Sequence, residues 1–266
     1  MDDRQFRKLL DWFGYSWAGY RKVRKGVKKR ITRHMQQLGC PTMNGYLDLL
    51  ANDGNARQEC RLRMTVSLSR FFRDRRLWEG LQDRILPELL GAPRDFLRVW
   101  SAGCACGEEA YTFVILWDLL RRCGAELPRL ELLASDVNPR YIAKARVGVY
   151  PLSSLKEVPE ALRRTYFDRY KSKQLFEIKA FLKEAVTWLE RDLFSGPPAA
   201  CFHLIFMRNN LLTYYQSRLV VPVFEKMAAS LAHDGWLIVG SHEQLPERAC
   251  GLIRDGTIPW AYRNQS

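Results

Sequence analysis

The chain has 266 residues, 47% of them hydrophobic, and a formal net charge of +13. That length allows one large domain or two smaller ones, and the hydrophobic fraction is ordinary for a globular protein. No apolar run is long enough for a membrane span, the start Met1-Asp-Asp-Arg-Gln-Phe-Arg7 has no signal-peptide core, and seven cysteines without framework spacing point to reduced thiols in the cytoplasm.

Residues 1 to about 85 read as helical. Phe6, Leu9, Leu10 and Phe13 fit one helical face. Val23, Val27, Ile31, Met35 and Leu38 then recur at spacings of three and four, which makes one apolar stripe. Arg21, Lys22, Arg24, Lys25, Lys28, Lys29, Arg30 and Arg33 cover the other faces, and Gly39 ends the helix. Such a basic face is either a solvated surface or a docking surface for an acidic helix or nucleic acid. Shorter helices follow through Tyr46–Leu50 and Cys60–Met64. In Ser67-Leu-Ser-Arg-Phe-Phe-Arg-Asp74, the aromatic pair reads as core, and the crowded arginines need an anion or carboxylate nearby. An amphipathic helix, Leu77 to Leu90, closes at Gly91-Ala-Pro93. The expected division is a helical domain over 1–90 and a second domain over 91–266.

From there strands and helices alternate, which predicts a mainly parallel sheet covered by helices. Phe96–Trp100 is a buried strand. Gly103 and Gly107 bracket a turn in which the backbone can take positive φ and let a ligand approach. Glu108 and Glu109 then open a helix, where acidic groups suit the dipole. Leu130–Asp136 is the second strand, with Asp136 at its carboxyl end, about 30 residues after the turn, where a carboxylate can accept both hydroxyls of a ribose. Asp136 equally suits an N-cap for the helix starting near Pro139. Within residues 166–192, Gln174–Leu182 and Ala185–Leu189 are β-rich and read as an antiparallel excursion before the third sheet strand, which ends at Asp192. His203–Met207 and Trp236–His242 are the fourth and fifth strands, and Ile258–Tyr262 reads as an antiparallel edge strand. Cys104-Ala-Cys106 is too closely spaced for a metal knuckle, so no metal is expected.

Taken together, these segments resemble the chemotaxis receptor methyltransferase (CheR) family. The similar stretches are Ser69-Arg-Phe-Phe-Arg73, Trp100-Ser-Ala-Gly-Cys-Ala-Cys-Gly-Glu-Glu-Ala-Tyr111, Ala134-Ser-Asp-Val-Asn138, Lys144-Ala-Arg-Val-Gly-Val-Tyr150, Ile205-Phe-Met-Arg-Asn209 and Gly240-Ser-His-Glu243, in family order. The resemblance implies an α/β fold: a Rossmann-like SAM-dependent methyltransferase sheet, a small helical N-terminal domain and a small antiparallel insertion over about 166–188. It implies S-adenosylmethionine (SAM) as cofactor, S-adenosylhomocysteine (SAH) as product, and glutamate side chains of an acidic helical protein, a chemoreceptor cytoplasmic region, as acceptor.

Site roles carry over at matching positions. Gly103 and Gly107 would shape the turn around the methionine part of the cofactor. Glu109 and Asp136 match cofactor-contacting acids, with Asp136 the ribose ligand. Asp192 and Leu193 stand beside the adenine, where the family has Asn-Leu. Arg73 matches an arginine near the methionine carboxylate and the transferred methyl, and Ser67 and Ser69 replace an Asn and a Thr of that loop. Arg208 and Asn209 match a pair closing the fourth strand. Arg73, Arg208 and Tyr214 are the candidate catalytic groups. The chain departs from the family pattern at three places. Thr213 stands where the family has Tyr, with Tyr214 one residue later; Cys106 replaces a Ser or Thr; and Ser241-His242 inverts a His-Ser order. The cofactor half is thus kept and the acceptor half altered, which leaves two other readings: a different acceptor, small molecule or nucleic acid, or a SAM-binding signalling module without turnover. His242 reads as structural rather than as a base. A cytoplasmic monomer with no membrane insertion is expected, and nucleic acid is not the expected partner.

Overall fold

The computed structural model describes residues 1–266 except 68, 173, 247–250 and 266. Two compact units divide it: Met1–Val66 with Asn209–Pro222, and Ser67–Arg208 with Val223–Ser266.

The first unit is helical. Asp3–Phe13 begins with a capping box, in which Asp2 accepts from the Gln5 amide while the Gln5 side chain accepts from the Asp2 amide. Arg24–Gln37 is the basic helix. Its apolar stripe is buried through Val27, Ile31 and Met35, while Lys25, Lys29, Arg30 and Arg33 face solvent. Met43–Asn52 and Gly54–Met64 complete the core, each starting at a side-chain cap, Thr42 and Asp53. The segment after Arg208 is fastened into this unit. Ser16 donates its amide to the Tyr214 carbonyl at 2.8 Å, Gln216 donates to the Gly14 carbonyl at 2.9 Å, and Tyr214 and Tyr215 pack edge-on against Tyr20 and Tyr15. Gly19 makes that approach possible, because a Cβ there would lie 2.0 Å from the Thr213 carbonyl oxygen. Gly19→Ala should therefore lower stability by about 1–3 kcal/mol through overpacking against backbone that cannot swing away. Urea denaturation monitored by circular dichroism measures it, and an unchanged midpoint would contradict the close approach.

The second unit is built on a seven-stranded sheet and a three-stranded one. In chain order the strands are β1 Phe96–Ala102, β2 Arg129–Asp136, β3 Val149–Pro151, β4 Phe167–Arg169, β5 Leu175–Ile178, β6 Val186–Glu190, β7 Phe202–Met207, β8 Leu231–Val239, β9 Leu252–Arg254 and β10 Ala261–Asn264. The large sheet runs β6-β2-β1-β7-β8-β10-β9, parallel from β6 to β8 and antiparallel beyond. β1 is covered on both faces, with Leu97, Val99 and Trp100 all buried, which explains its continuous apolar run. The strand order reverses between β1 and β7, and a crevice beyond the carboxyl ends at such a switch point is where this architecture takes ligands.

Several details differ from the sequence reading. The helix after Asp74 packs into the sheet's core through Leu77, Trp78, Leu81, Ile85 and Leu86, and the compact units part at Val66. It is interrupted by a wide π-helical turn, Leu81–Ile85, just before Pro87, which has no N–H to continue the α-helical ladder. The antiparallel sheet is β3-β5-β4, so it starts at Val149. Within the span expected to be β-rich, Ala180–Glu184 is helical, while β6 is the third sheet strand expected to end near Asp192, a parallel edge of the large sheet. The last strand falls at Ala261–Asn264 and is internal, because β9 pairs outside it. No helix among the described residues is long and apolar enough to cross a membrane.

Candidate active site

β1 delivers the chain into the turn Gly103–Gly107, and β2 supplies the groups that shape it. The amides of Gly103 and Cys104 both donate to the Ser135 carbonyl at 2.8 Å. Ala105 is left-handed, φ +49°, a conformation that costs a residue with a side chain and that persists where surroundings enforce it. Its amide donates to Asp136 Oδ2 at 3.0 Å, while Oδ1 accepts from the Asn138 amide at 2.9 Å. Asp136 is thus not the helix cap. Asn138 is, accepting from the Arg140 amide. Burial pushes the Asp136 carboxyl up to about 6, against the lowering effect of its backbone donors. Gly107 has φ +91°, and a Cβ there would meet the Trp188 ring at 2.6 Å and Ala145 at 2.9 Å, so only glycine lets the helix Glu108–Arg122 start where it does.

The two glutamates that open this helix diverge. Glu109 accepts from Ser101 Oγ at 2.7 Å and from Arg208 at 3.0 Å, so both its oxygens are engaged. Arg208, at the end of β7, has a side chain only 4% exposed. It also pairs with Asp74 at 2.6 Å and donates to the Arg73 carbonyl at 3.2 Å, while its Nε is sealed with no hydrogen-bond partner. One guanidinium therefore ties the carboxyl end of β7 to the cofactor-type turn and to the 67–74 loop. Glu108 points elsewhere and is 5% exposed. The Ser69 hydroxyl donates to its carboxyl, Ser154 and Lys144 lie near, and burial raises its pKa.

The 67–74 loop is held at several points. The Phe71 amide donates to the Ser154 carbonyl at 3.0 Å, the Phe72 amide donates to Thr112 Oγ1 at 3.1 Å, and Trp78 Nε1 donates to the Arg73 carbonyl at 2.9 Å. Phe72 and Asp74 are both left-handed, so backbone strain is stored on either side of Arg73. At the far side of Asp136, the Arg191 amide donates to the Asp136 carbonyl at 3.0 Å, and Asp192 caps the short turn Leu193–Ser195 through the Phe194 amide.

Comparison with known proteins meets this geometry from another direction. A family described as "CheR methyltransferase, SAM binding domain" matches residues 67–253, more than half of the chain. The protein belongs to the CheR methyltransferase family. A relative from Rhizobium etli, "Probable chemotaxis protein methyltransferase", is 30% identical over 230 residues, 84% of this chain and 85% of that protein. A "Chemotaxis protein methyltransferase" from Listeria monocytogenes is 29% identical, covering 87% and 85% of the two chains. Among solved structures, the N-methyltransferase NodS from Bradyrhizobium japonicum, in complex with SAH, aligns over 71% of this chain and 87% of its own with 16% identity and a TM-score of 0.38. This CheR-family protein is a SAM-dependent methyltransferase, and SAM is its cofactor.

Within this CheR-family methyltransferase, the sheet unit gathers Ser67, Ser69, Arg73, Gly103, Gly107, Glu109, Asp136, Asp192, Leu193 and Arg208. Asn209 and Tyr214 belong to the helical unit, with the Tyr214 ring 5.0 Å from that of Tyr20. Residues absent from the sequence-based set are Ser101, Asp74 and Glu108. Asp74 follows Arg73 directly, and a carboxylate in so arginine-rich a stretch signals an ion pair. Glu108 is set apart from Glu109 only by a step of about 100° round the helix, which sequence spacing alone does not orient.

Proposed function

We propose that this methyltransferase transfers the SAM methyl group to a carboxylate side chain, a glutamate of an acidic helical protein such as a chemoreceptor cytoplasmic region, in the cytoplasm. The observation that carries the reading is one continuous set of contacts, Asp136 to the Gly103–Gly107 turn, Glu109 to Arg208, and Arg208 to Arg73 and Asp74. The residues fit the cofactor. Asp136 presents a carboxylate, held by backbone donors, to a ribose diol. The turn has no bulk at Gly107, and Asp192 with Leu193 flanks an adenine site. Bound SAM supplies the electrophilic methyl and its own leaving group, so the protein chiefly positions and desolvates.

The chain's residues then have defined tasks. Arg73, Ser67 and Ser69 bind the methionine end and the approaching acceptor. Arg208 fixes Glu109 and the Arg73 backbone, a positioning task suited to its burial. The acceptor would be an ionised carboxylate held towards that methyl by Arg73, Ser67 and Ser69, and no residue of this chain would have to move a proton. A glutamate side chain is ionised near neutral pH and needs no general base.

The names of the relatives favour a chemotaxis acceptor, and the basic helix Arg24–Gln37 supplies a surface of matching charge. Lys28 is engaged by Asp3 at 2.9 Å, so Lys25, Lys29 and Arg33 are the exposed docking charges. Incubation with methyl-labelled SAM and an acidic receptor fragment should give base-labile methyl esters. Reversing Lys25, Lys29 and Arg33 to Glu should raise KM for the fragment about tenfold or more and leave SAH affinity unchanged. Base-stable label, or SAM binding without turnover on such a fragment, would replace the carboxylate reading.

A further inference from the structure

Among the described residues, Glu108 is the one buried carboxylate beside the turn that the proposed chemistry does not use. It stands at the first position of the helix Glu108–Arg122, 5% exposed, with Oε2 sealed from water and without a hydrogen-bond partner. A carboxylate so placed is costly unless something depends on it. Its other contacts run to two segments outside its own helix. Ser69 donates to it from the 69–74 segment, and Ser154 of the 3₁₀ turn Leu152–Leu155, which follows β3, lies near. The same two segments meet again nearby, where the Ser154 carbonyl accepts from the Phe71 amide at 3.0 Å. Phe71 is fully buried edge-on against Tyr150 of β3 and Phe167 of β4, each at 4.9 Å, and the Tyr150 hydroxyl donates to the Cys106 carbonyl of the turn at 2.7 Å. The Glu108 carbonyl accepts from Thr112 Oγ1, which in turn accepts from the Phe72 amide. Both ends of this one residue therefore reach the 67–74 loop, by side chain at Ser69 and by main chain through Thr112.

We infer that Glu108 is a positioning residue for the SAM site: its carboxyl group clamps the 67–74 loop, through Ser69, onto the turn and the small antiparallel sheet, and so holds Arg73 in register with the cofactor. The inference rests on the reading that Arg73 contacts the methionine end of SAM. What the clamp needs from residue 108 is an acceptor oxygen at that radius, not a negative charge, since the Ser69 donor is a hydroxyl and burial disfavours the charge. Gln supplies the oxygen; Ala does not. A purely structural glutamate would make no such distinction between binding and folding.

The experiment compares Glu108→Gln, Glu108→Ala and Arg73→Ala in the full chain, with SAH titrated calorimetrically and thermal midpoints recorded for each. Glu108→Gln should bind SAH within about threefold of the parent and melt no earlier. Glu108→Ala should bind about tenfold more weakly or worse, with a raised KM for SAM and a kcat near the parent's at saturation. If Glu108→Ala binds SAH like the parent, or if the Gln and Ala variants lose binding alike, the clamp is refuted. If Arg73→Ala leaves SAH binding untouched, it is the cofactor reading of the loop that fails. Loss in Arg73→Ala with none in Glu108→Ala sinks the clamp alone.

Discussion

Arg208→Met should cost the sheet unit about 3–5 kcal/mol and remove most SAH binding, because it strands two carboxylates around one vacated site. The side chain of Arg208 is 4% exposed and those of its partners Glu109 and Asp74 are 13% and 32% exposed, so Glu109 bears most of the penalty while water relieves Asp74 in part. That places the loss towards the lower end of the range. Methionine keeps the volume and the contact with Trp78, whose ring lies 5.8 Å from the guanidinium carbon, so the change isolates charge and hydrogen bonding from packing. Arg208→Lys should rescue only part. An ammonium is a point charge, and the guanidinium here spans Glu109, Asp74 and the Arg73 carbonyl with a planar fork. Guanidinium denaturation of each variant, with SAH titration of the folded fraction, separates the two effects. A Met variant as stable as the parent would mean that the buried ion pairs contribute nothing net.

The same residue shows where the sequence stops being informative. Arg208-Asn209 after an apolar strand reads as a functional pair at a strand end, and the strand end is where Arg208 lies. Its burial between two carboxylates depends on Asp74, 134 positions away along the chain, and no local pattern encodes such a pairing. The core of the α/β unit was legible because β1, its glycine turn and the next helix are each fixed by neighbours in sequence: continuous burial, positive φ at Gly103 and Gly107, and acids in the first helical turn. Of the antiparallel sheet, β4 and β5 lie in the expected span, and β3 escaped the reading because it is three residues long, Val149–Pro151, and is a strand only through pairing with β5. The π-helical turn before Pro87 could have been suspected from the proline, which the amphipathic spacing of Leu77–Leu90 masked. For Asp136 the sequence left two roles open, ribose ligand and helix cap, and geometry removes the second by giving the cap to Asn138.

On the proposed ribose role, Asp136 is the group whose titration cofactor binding should report. Its carboxyl is raised from 3.8 to about 6 by burial, so the sign of the effect can be stated in advance. Between roughly pH 6 and pH 4 the folded, unliganded protein takes up a proton that the unfolded chain does not, and by linkage its own stability rises as pH falls through that window. Cofactor binding should run the other way. Two ribose hydroxyls donate best to an ionised carboxylate, so protonation removes acceptor capacity just where the ligand needs it. The SAH affinity should be flat above about pH 7 and fall about tenfold per unit below pH 6. The ligand's α-amino group, with an ordinary value near 8, stays protonated through the window and does not contribute. Glu108, also raised by burial, lies beside the same turn, which is why a variant at Asp136 itself is needed. Asp136→Asn should flatten the profile while weakening SAH binding at pH 7.5, and Asp136→Ala should weaken it by about 1–3 kcal/mol, or about 5- to 150-fold. Calorimetric titrations from pH 5 to pH 8 measure all three proteins on one scale. A parent profile that stays level through pH 6, or an Asn variant that keeps the parent's slope, would take Asp136 out of the ribose site.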